Sequence, residues 1–369
     1  MTPALARTGP GVGRDNKSRI RLMIVDDSMV ARAVLSRMLE SDGGFEIVAV
    51  AGTAEDAIDA LAQVRVDIIL LDLEMPGAGG LKSIPRILEI AHGARVMIVS
   101  SLAEEGAEET VAALALGAAD TLPKPGTGRF NGRFSEILMS KLRAIGRAED
   151  QSPLPPTKAT ARPVNLAPLR AMANDPLRLI AIGASTGGIH ALGTFFQALP
   201  ERIAVPILVT QHLPAPFMTV FARQLGNAAG REAIVAEDGL RLLPDRIVIA
   251  PGDAHLTIDV SGGHLVARLT RTRSASGCLP SVDPMLASAA AILGSEALGV
   301  ILTGMGRDGL EGALALIGAG GSVIVQDEAS SAVWGMPRAV AEAGLACAVL
   351  PPAKLARRVA ARAELAPCK

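Results

Sequence analysis

Six prolines fall between Glu149 and Pro176, including the run Pro153-Leu154-Pro155-Pro156, with few bulky side chains among them. Proline at that density removes backbone donors from a helix or central strand and favours extended chain. Residues 147–176 therefore read as an interdomain linker, and the folded parts must lie on either side of it. The 369 residues suffice for two domains, each with its own core. On the N-terminal side, aliphatic runs at Ile20–Val25, Phe45–Val50, Ile68–Leu71 and Val96–Val99 alternate with segments of helical periodicity, the last carrying Phe134, Leu138, Leu142 and Ile145. On the C-terminal side the alternation resumes at Leu179-Ile180-Ala181-Ile182 and continues through Val205–Thr210, Arg246–Ala250, Leu298–Thr303 and Ser322–Val325. The stretch Leu256–Thr270, divided by Ser261-Gly262-Gly263, reads as an inserted β-hairpin.

Strand-helix alternation predicts parallel sheets covered on both faces. The expected fold class is α/β twice over: a flavodoxin-like, doubly wound (βα)5 domain over residues 20–146, and a Rossmann-like parallel sheet with an inserted hairpin over residues 177–352. Residues 1–19 read as a disordered tail without a signal peptide's apolar segment, and residues 353–369 as a C-terminal helix and tail.

Composition narrows the function classes. A formal net charge of −1 supplies no field for nucleic acid or an anionic membrane, and 2% aromatics with no tyrosine give no base-stacking platform. No apolar run is long enough to span a bilayer, so a cytoplasmic protein is expected. Cys278, Cys347 and Cys368 form no CxxC pair and are odd in number, which argues against a disulfide framework or a structural zinc site; all three read as incidental.

Asp26 and Asp27 end the first N-terminal strand and Asp72 the third. The carboxyl ends of neighbouring parallel strands converge on one crevice, where three carboxylates repel one another unless a hard cation such as Mg²⁺ sits among them. Ser100 ends the fourth strand and Lys124 follows the fifth, adding two donors for phosphoryl oxygens. A single strand-end aspartate is most simply a helix cap, but five such positions in order describe a phosphoryl-transfer site. Residues 20–146 resemble the receiver domain of response regulators. The resemblance implies that Asp72 accepts phosphate from a histidine kinase, that Asp26, Asp27 and Asp72 with the Glu74 carbonyl hold Mg²⁺, and that Ser100 and Lys124 read out the phosphate. Thr121 stands where receivers often carry an aromatic switch residue. The acidic run Glu104, Glu105, Glu108, Glu109 reads as a solvated helix face or a docking face.

Gly183-Ala184-Ser185-Thr186-Gly187-Gly188 leads directly from a strand into a helix. As a dinucleotide loop it has Ser185 where the pyrophosphate needs glycine; as G-x-S-x-G it exposes a nucleophilic serine on a sharp turn. A serine needs a base and an orienting carboxylate. His212 follows a buried strand on the same sheet edge and is the first candidate for base, with His255 second. Asp308, in Gly304-Met305-Gly306-Arg307-Asp308-Gly309, is the first candidate for the carboxylate, ahead of Asp253, Asp283 and Asp327. Glycines around Asp308 leave backbone N–H groups for an oxyanion.

With Gln211-His212-Leu213-Pro214, Pro280-Ser281-Val282-Asp283, Gln326-Asp327-Glu328-Ala329-Ser330 and Gly335-Met336-Pro337, residues 177 to 350 resemble the catalytic domain of the chemotaxis protein-glutamate methylesterases, the CheB family. The resemblance implies nucleophile Ser185, base His212, orienting Asp308 and an oxyanion hole at the Met305 N–H with Thr186 nearby. It also implies methylesterase and glutaminase activity on chemoreceptors, regulated by phosphorylation, with no cofactor for the ester chemistry. Leu279 departs from the basic residue that relatives tend to place there. The competing expectations are a phosphorylation-controlled binding module and a dinucleotide-dependent oxidoreductase; intact triad residues disfavour the first and Ser185 the second.

Overall fold

The structure is a computed structural model and describes residues 19–77, 79–100, 104–125, 132–146 and 167–364. The N-terminal domain runs β1 (Ile20–Val25), α1 (Met29–Glu40), β2 (Phe45–Ala51), α2 (Ala54–Leu61), β3 (Ile68–Leu71), α3 (Gly80–Ile90), β4 (Arg95–Ile98), α4 (Glu104–Ala115), β5 (Asp120–Thr121) and α5 (Gly132–Gly146). Its strands pair in parallel in the order β2-β1-β3-β4-β5, the doubly wound arrangement expected from the alternation. β3 is buried on both faces, so all four of its residues are aliphatic. Ser28 and Thr53 cap α1 and α2, each accepting a backbone N–H from three residues on.

The C-terminal domain runs β6 (Leu179–Ala184), α6 (Gly188–Ala198), β7 (Ile207–Gln211), α7 (Met218–Ala229), β8 (Ala233–Val235), β9 (Ile247–Ile249), β10 (His255–Ser261), β11 (His264–Thr270), α8 (Val282–Leu293), β12 (Ala297–Ile301), α9 (Leu310–Gly318), β13 (Ser322–Gln326), α10 (Met336–Glu342), β14 (Ala348–Leu350) and α11 (Pro352–Glu364). Seven strands form one parallel sheet ordered β14-β13-β12-β6-β7-β9-β8, while β10 and β11 pair antiparallel as the separate hairpin. Gly262 and Gly263 both take positive φ between paired Ser261 and His264, the two-residue turn that fixes the hairpin register. The short strands β8 and β14 escape the sequence reading. β8 and β14 are sheet-edge strands that are only partly buried, so no continuous apolar run marks them.

Residues 147–166 lie outside the described residues. Residues 167–176 run along the C-terminal sheet: Arg170 N–H donates to Ala346 O at 3.0 Å and Ala173 N–H to Ser322 Oγ at 2.9 Å. α11 buries Leu355, Ala356 and Val359 against α6 and belongs to the domain's helical layer. Among the described residues no helix is long and apolar enough to cross a membrane. α4 of the N-terminal domain packs on α6 and α7, so one apolar cluster runs through both domains.

Candidate active site

β6 lies between β12 and β7, so the chain leaves β6 towards one side of the sheet and returns to the other. Such a reversal opens a crevice at the strands' carboxyl ends. Ser185 follows β6, His212 follows β7, and Asp308 lies on the loop after β12. His212 Nε2 sits 2.8 Å from Asp308 Oδ2. Asp308 also accepts from Val282 N–H at 2.7 Å and from Ser281 Oγ at 2.6 Å. Burial pushes the Asp308 carboxyl up, but the bonds from His212, Ser281 and Val282 outweigh it and hold the group well below the usual carboxylate range. Ser281 and Val282 open α8, whose N-terminal dipole adds to the same effect. An ionised Asp308 keeps the imidazole proton on Nε2 and leaves Nδ1 to accept another.

Ser185 is held on the turn between β6 and α6. Its N–H donates to Thr303 O at 3.0 Å, and Gln211 Nε2 donates to its carbonyl at 2.9 Å. A Cβ on Gly304 would lie 2.8 Å from Ser185 Cβ and collide with Met336 Sδ, so the loop after β12 reaches the serine only as glycine. Ser185 and His212 line one cavity. No hydrogen bond joins Ser185 Oγ to His212 among the described residues; in unliganded sites this contact often forms only with substrate. The Gly304 N–H is spent on Val333 O at 3.0 Å, whereas the Met305 N–H has no hydrogen bond among the described residues and stays available to an oxyanion.

The second-choice residues serve other purposes. His255 is buried, accepts from Ser281 N–H on Nδ1 at 2.9 Å and donates from Nε2 to Thr272 O at 2.7 Å, so both ring nitrogens are committed. Asp253 pairs with Arg271, Asp283 accepts from Gly312 N–H, and Asp327 accepts from Ser330. Asp283 is pushed up to about 6 by burial and by the neighbouring Asp308 charge, against the Gly312 bond. Sequence reasoning missed Ser281. The available signal was its place as a hydroxyl cap ahead of an apolar helix.

In the N-terminal domain, Asp26, Asp27 and Asp72 each offer a carboxylate oxygen within 4.8 Å of the others. Lys124 Nζ lies 2.6 Å from Asp72 Oδ2 and 2.8 Å from Asp26 Oδ2, the latter an ion pair without an aligned hydrogen bond. Burial raises the Asp72 carboxyl above its ordinary value despite Lys124. Ser100 Oγ is buried with no hydrogen-bond partner among the described residues, a donor waiting for an acceptor. Hard oxygens with one exposed member fit Mg²⁺, which keeps several waters. Glu74 N–H donates to Asp72 Oδ1 at 3.3 Å, which holds the loop against the cluster.

The two sites are joined through β5. Asp120 Oδ2 accepts from Thr186 Oγ1 at 2.5 Å and pairs with Lys141 Nζ at 2.7 Å, and Ala119 O accepts from Gly187 N–H at 2.6 Å. The hydroxyl expected to help the oxyanion hole thus donates to the N-terminal domain. Met305 and Val333 pack against the N-terminal core. Glu108 pairs with Arg223 at 2.6 Å, so this part of the acidic run faces the other domain; the side chains of Glu104 and Glu105 lie outside the described residues. The cavity between Leu114, Ala118, Ala119 and Asp120 on one side and Ser185 and His212 on the other measures about 10 Å³, no more than one water needs.

Comparison with known proteins agrees with this architecture. The family model "Response regulator receiver domain" matches residues 22–129 and "CheB methylesterase" residues 180–359. The chain is 40% identical over 354 residues to protein-glutamate methylesterase/protein-glutamine glutaminase 1 of Paramagnetospirillum magneticum, covering 90% of this chain and 93% of the relative. It is 42% identical over 348 residues to protein-glutamate methylesterase/protein-glutamine glutaminase 2 of Caulobacter vibrioides, covering 94% and 99%. The catalytic domain of Thermotoga maritima CheB methylesterase is similar at 36% identity and a TM-score of 0.49, covering 51% of this chain and 99% of that one. A response regulator receiver and a methylesterase domain, in that order and with relatives matched nearly end to end, make this chain a member of the CheB methylesterase family.

Proposed function

We propose that the chain is a cytoplasmic, phosphorylation-regulated protein-glutamate methylesterase and protein-glutamine glutaminase acting on chemoreceptor helices. The carrying observation is the His212–Asp308 pair on the sheet edge that also presents Ser185. Ser185 Oγ attacks the γ-ester carbonyl while His212 Nδ1 takes its proton, and Asp308 stabilises the imidazolium. The Met305 N–H, joined by Thr186 once its hydroxyl is free, receives the carbonyl oxygen as it becomes an oxyanion. The C–O bond breaks as His212 returns the proton to departing methanol. Water, deprotonated by the same imidazole, then attacks the acyl-enzyme and regenerates Ser185 with a free glutamate. A glutamine side chain follows the same path with ammonia leaving.

Regulation follows from the narrow crevice between β5 and the Ser185 turn, which leaves no room for a substrate helix while β5 lies against it. Asp72 accepts phosphate from a histidine kinase. Asp26, Asp27 and Asp72, with the Glu74 carbonyl, would hold Mg²⁺, which neutralises phosphoryl charge when bound. Ser100 and Lys124 then turn to the phosphoryl oxygens. Lys124 lies only a few residues beyond Asp120, and its N–H donates to Ser100 O at 2.8 Å, so their movement pulls on the strand that holds Thr186 and Gly187.

The test is release of volatile methanol from methyl-labelled receptor fragments. Ser185→Ala should lose turnover by at least about 10⁴-fold, and a small phosphodonor should accelerate wild type but not Asp72→Ala. Undiminished release from Ser185→Ala would refute the mechanism; equal stimulation of wild type and Asp72→Ala would refute the regulation.

A further inference from the structure

Cys278 carries no part of the proposed ester chemistry, yet a ligating atom from each of His212, Cys278 and Asp308 lies within 4.8 Å of the other two. We propose that these three residues form a site for a thiophilic divalent cation, Zn²⁺ above all, and that the ion inhibits the enzyme by occupying its base and its orienting carboxylate. The inhibitory half rests on the function proposed above; the binding half does not.

One nitrogen, one sulfur and one carboxylate oxygen are the mixed donors that zinc takes and that magnesium and calcium avoid. The thiol is not on a loose tether. Ser274 Oγ donates to Cys278 O at 2.9 Å and Cys278 N–H to Ser276 Oγ at 3.3 Å. Three residues on, Ser281 binds both His255 and Asp308. The loop that steadies Asp308 therefore also presents the sulfur, and Cys278 is only half-buried, so an ion from solvent reaches it.

Charge favours the ion as well. When a cation arrives, the sulfur–metal bond forms as the S–H proton leaves to solvent. Zn²⁺ then meets one thiolate, one carboxylate and one neutral imidazole, so its two charges are balanced and a fourth, open position is left to water. The ion replaces the proton between His212 Nε2 and Asp308, and that proton moves to Nδ1, which keeps the imidazole neutral. Nδ1 then has no lone pair for the Ser185 proton, and the serine keeps it.

The experiment uses the full chain stripped of metal, with Co²⁺ as a spectroscopic substitute and Zn²⁺ uptake followed by equilibrium dialysis. Wild type should take up one Zn²⁺ and show the near-ultraviolet thiolate-to-cobalt absorption. Cys278→Ser should lose that absorption and bind Zn²⁺ at least about tenfold more weakly, given that even an outer-shell partner is worth that much. Cys368→Ser should retain both, and His212→Ala should weaken uptake independently of the thiol. Hydrolysis by wild type and Cys278→Ser, each measured against its own metal-free rate, should need at least about tenfold more Zn²⁺ for the same inhibition in Cys278→Ser. Absence of the cobalt absorption in wild type, or its persistence in Cys278→Ser, overturns the site. Zn²⁺ uptake without loss of rate overturns the inhibition. A metal-free enzyme with no hydrolysis at all counts against the proposed function, while the cobalt spectrum still decides the site.

Discussion

Asp308 and Asp283 stand side by side in the C-terminal domain, and burial pushes both carboxyls up, yet they end on opposite sides of the ordinary carboxylate value. Asp308 gains donors from an imidazole, a hydroxyl and a helix N-terminus; Asp283 has chiefly the Gly312 N–H and faces the Asp308 charge. The folded state therefore favours neutral Asp283, whose pKa of about 6 lies above its unfolded value. The stability this contributes is fully present below the ordinary carboxylate range and is lost as the pH rises through about 6. Asp308 works the other way: its pKa is depressed, so its contribution disappears as the pH falls below the ordinary carboxylate range. Asp283→Asn keeps an acceptor for Gly312 N–H and removes the buried charge. Urea unfolding from about pH 4 to about pH 7 should show a smaller decline for this variant than for wild type; an identical decline would contradict the assignment. Ser185, His212 and Asp308 were legible because each follows a strand at its carboxyl end. Cys278 was not, because its position beside them is created by a loop that arrives from the other side of the hairpin.

At the scale of elements, the site depends on a close approach between the turn after β6 and the loop after β12. Gly304 makes that approach possible, with its missing side chain facing Ser185 Cβ and Met336 Sδ. Gly304→Ala should lower stability by about 1–3 kcal/mol, the usual cost of overpacking a tight contact. It should also lower turnover, because Ser185 N–H is bonded to the adjoining Thr303 carbonyl. Thermal unfolding together with methanol release checks both, and unchanged values would show that the loop relaxes freely. The glycine-rich strings pointed to both turns, but not to their mutual contact. Strand pairing between β6 and β12, residues far apart in sequence, brings them together. The same pairing explains why β12 and its loop, late in the chain, reach the proposed nucleophile placed early in the domain.

Across the whole molecule, the decisive feature is that β5 of the receiver domain lies against the Ser185 turn. Asp120 is a receiver residue that binds a hydroxyl of the Ser185 turn and a lysine of its own α5. Asp120→Ala removes a charge-assisted bond worth roughly 1.5–3 kcal/mol from the closed arrangement only. Methanol release without phosphodonor should rise by about tenfold or more, with a smaller stimulation on adding one. A basal rate equal to wild type would mean that closure does not depend on this contact. The sequence alone determined two parallel α/β domains, the inserted hairpin, the carboxylate cluster of the receiver and the three triad candidates, because hydrophobic periodicity and strand-end position are local properties of the chain. Only the tertiary structure decided that Thr186 donates to Asp120, that both nitrogens of His255 are occupied, that Ser281 holds Asp308, and that Cys278 stands beside His212. Each of these is a contact between segments far apart in the chain, and such distances are set by how sheets and domains pack.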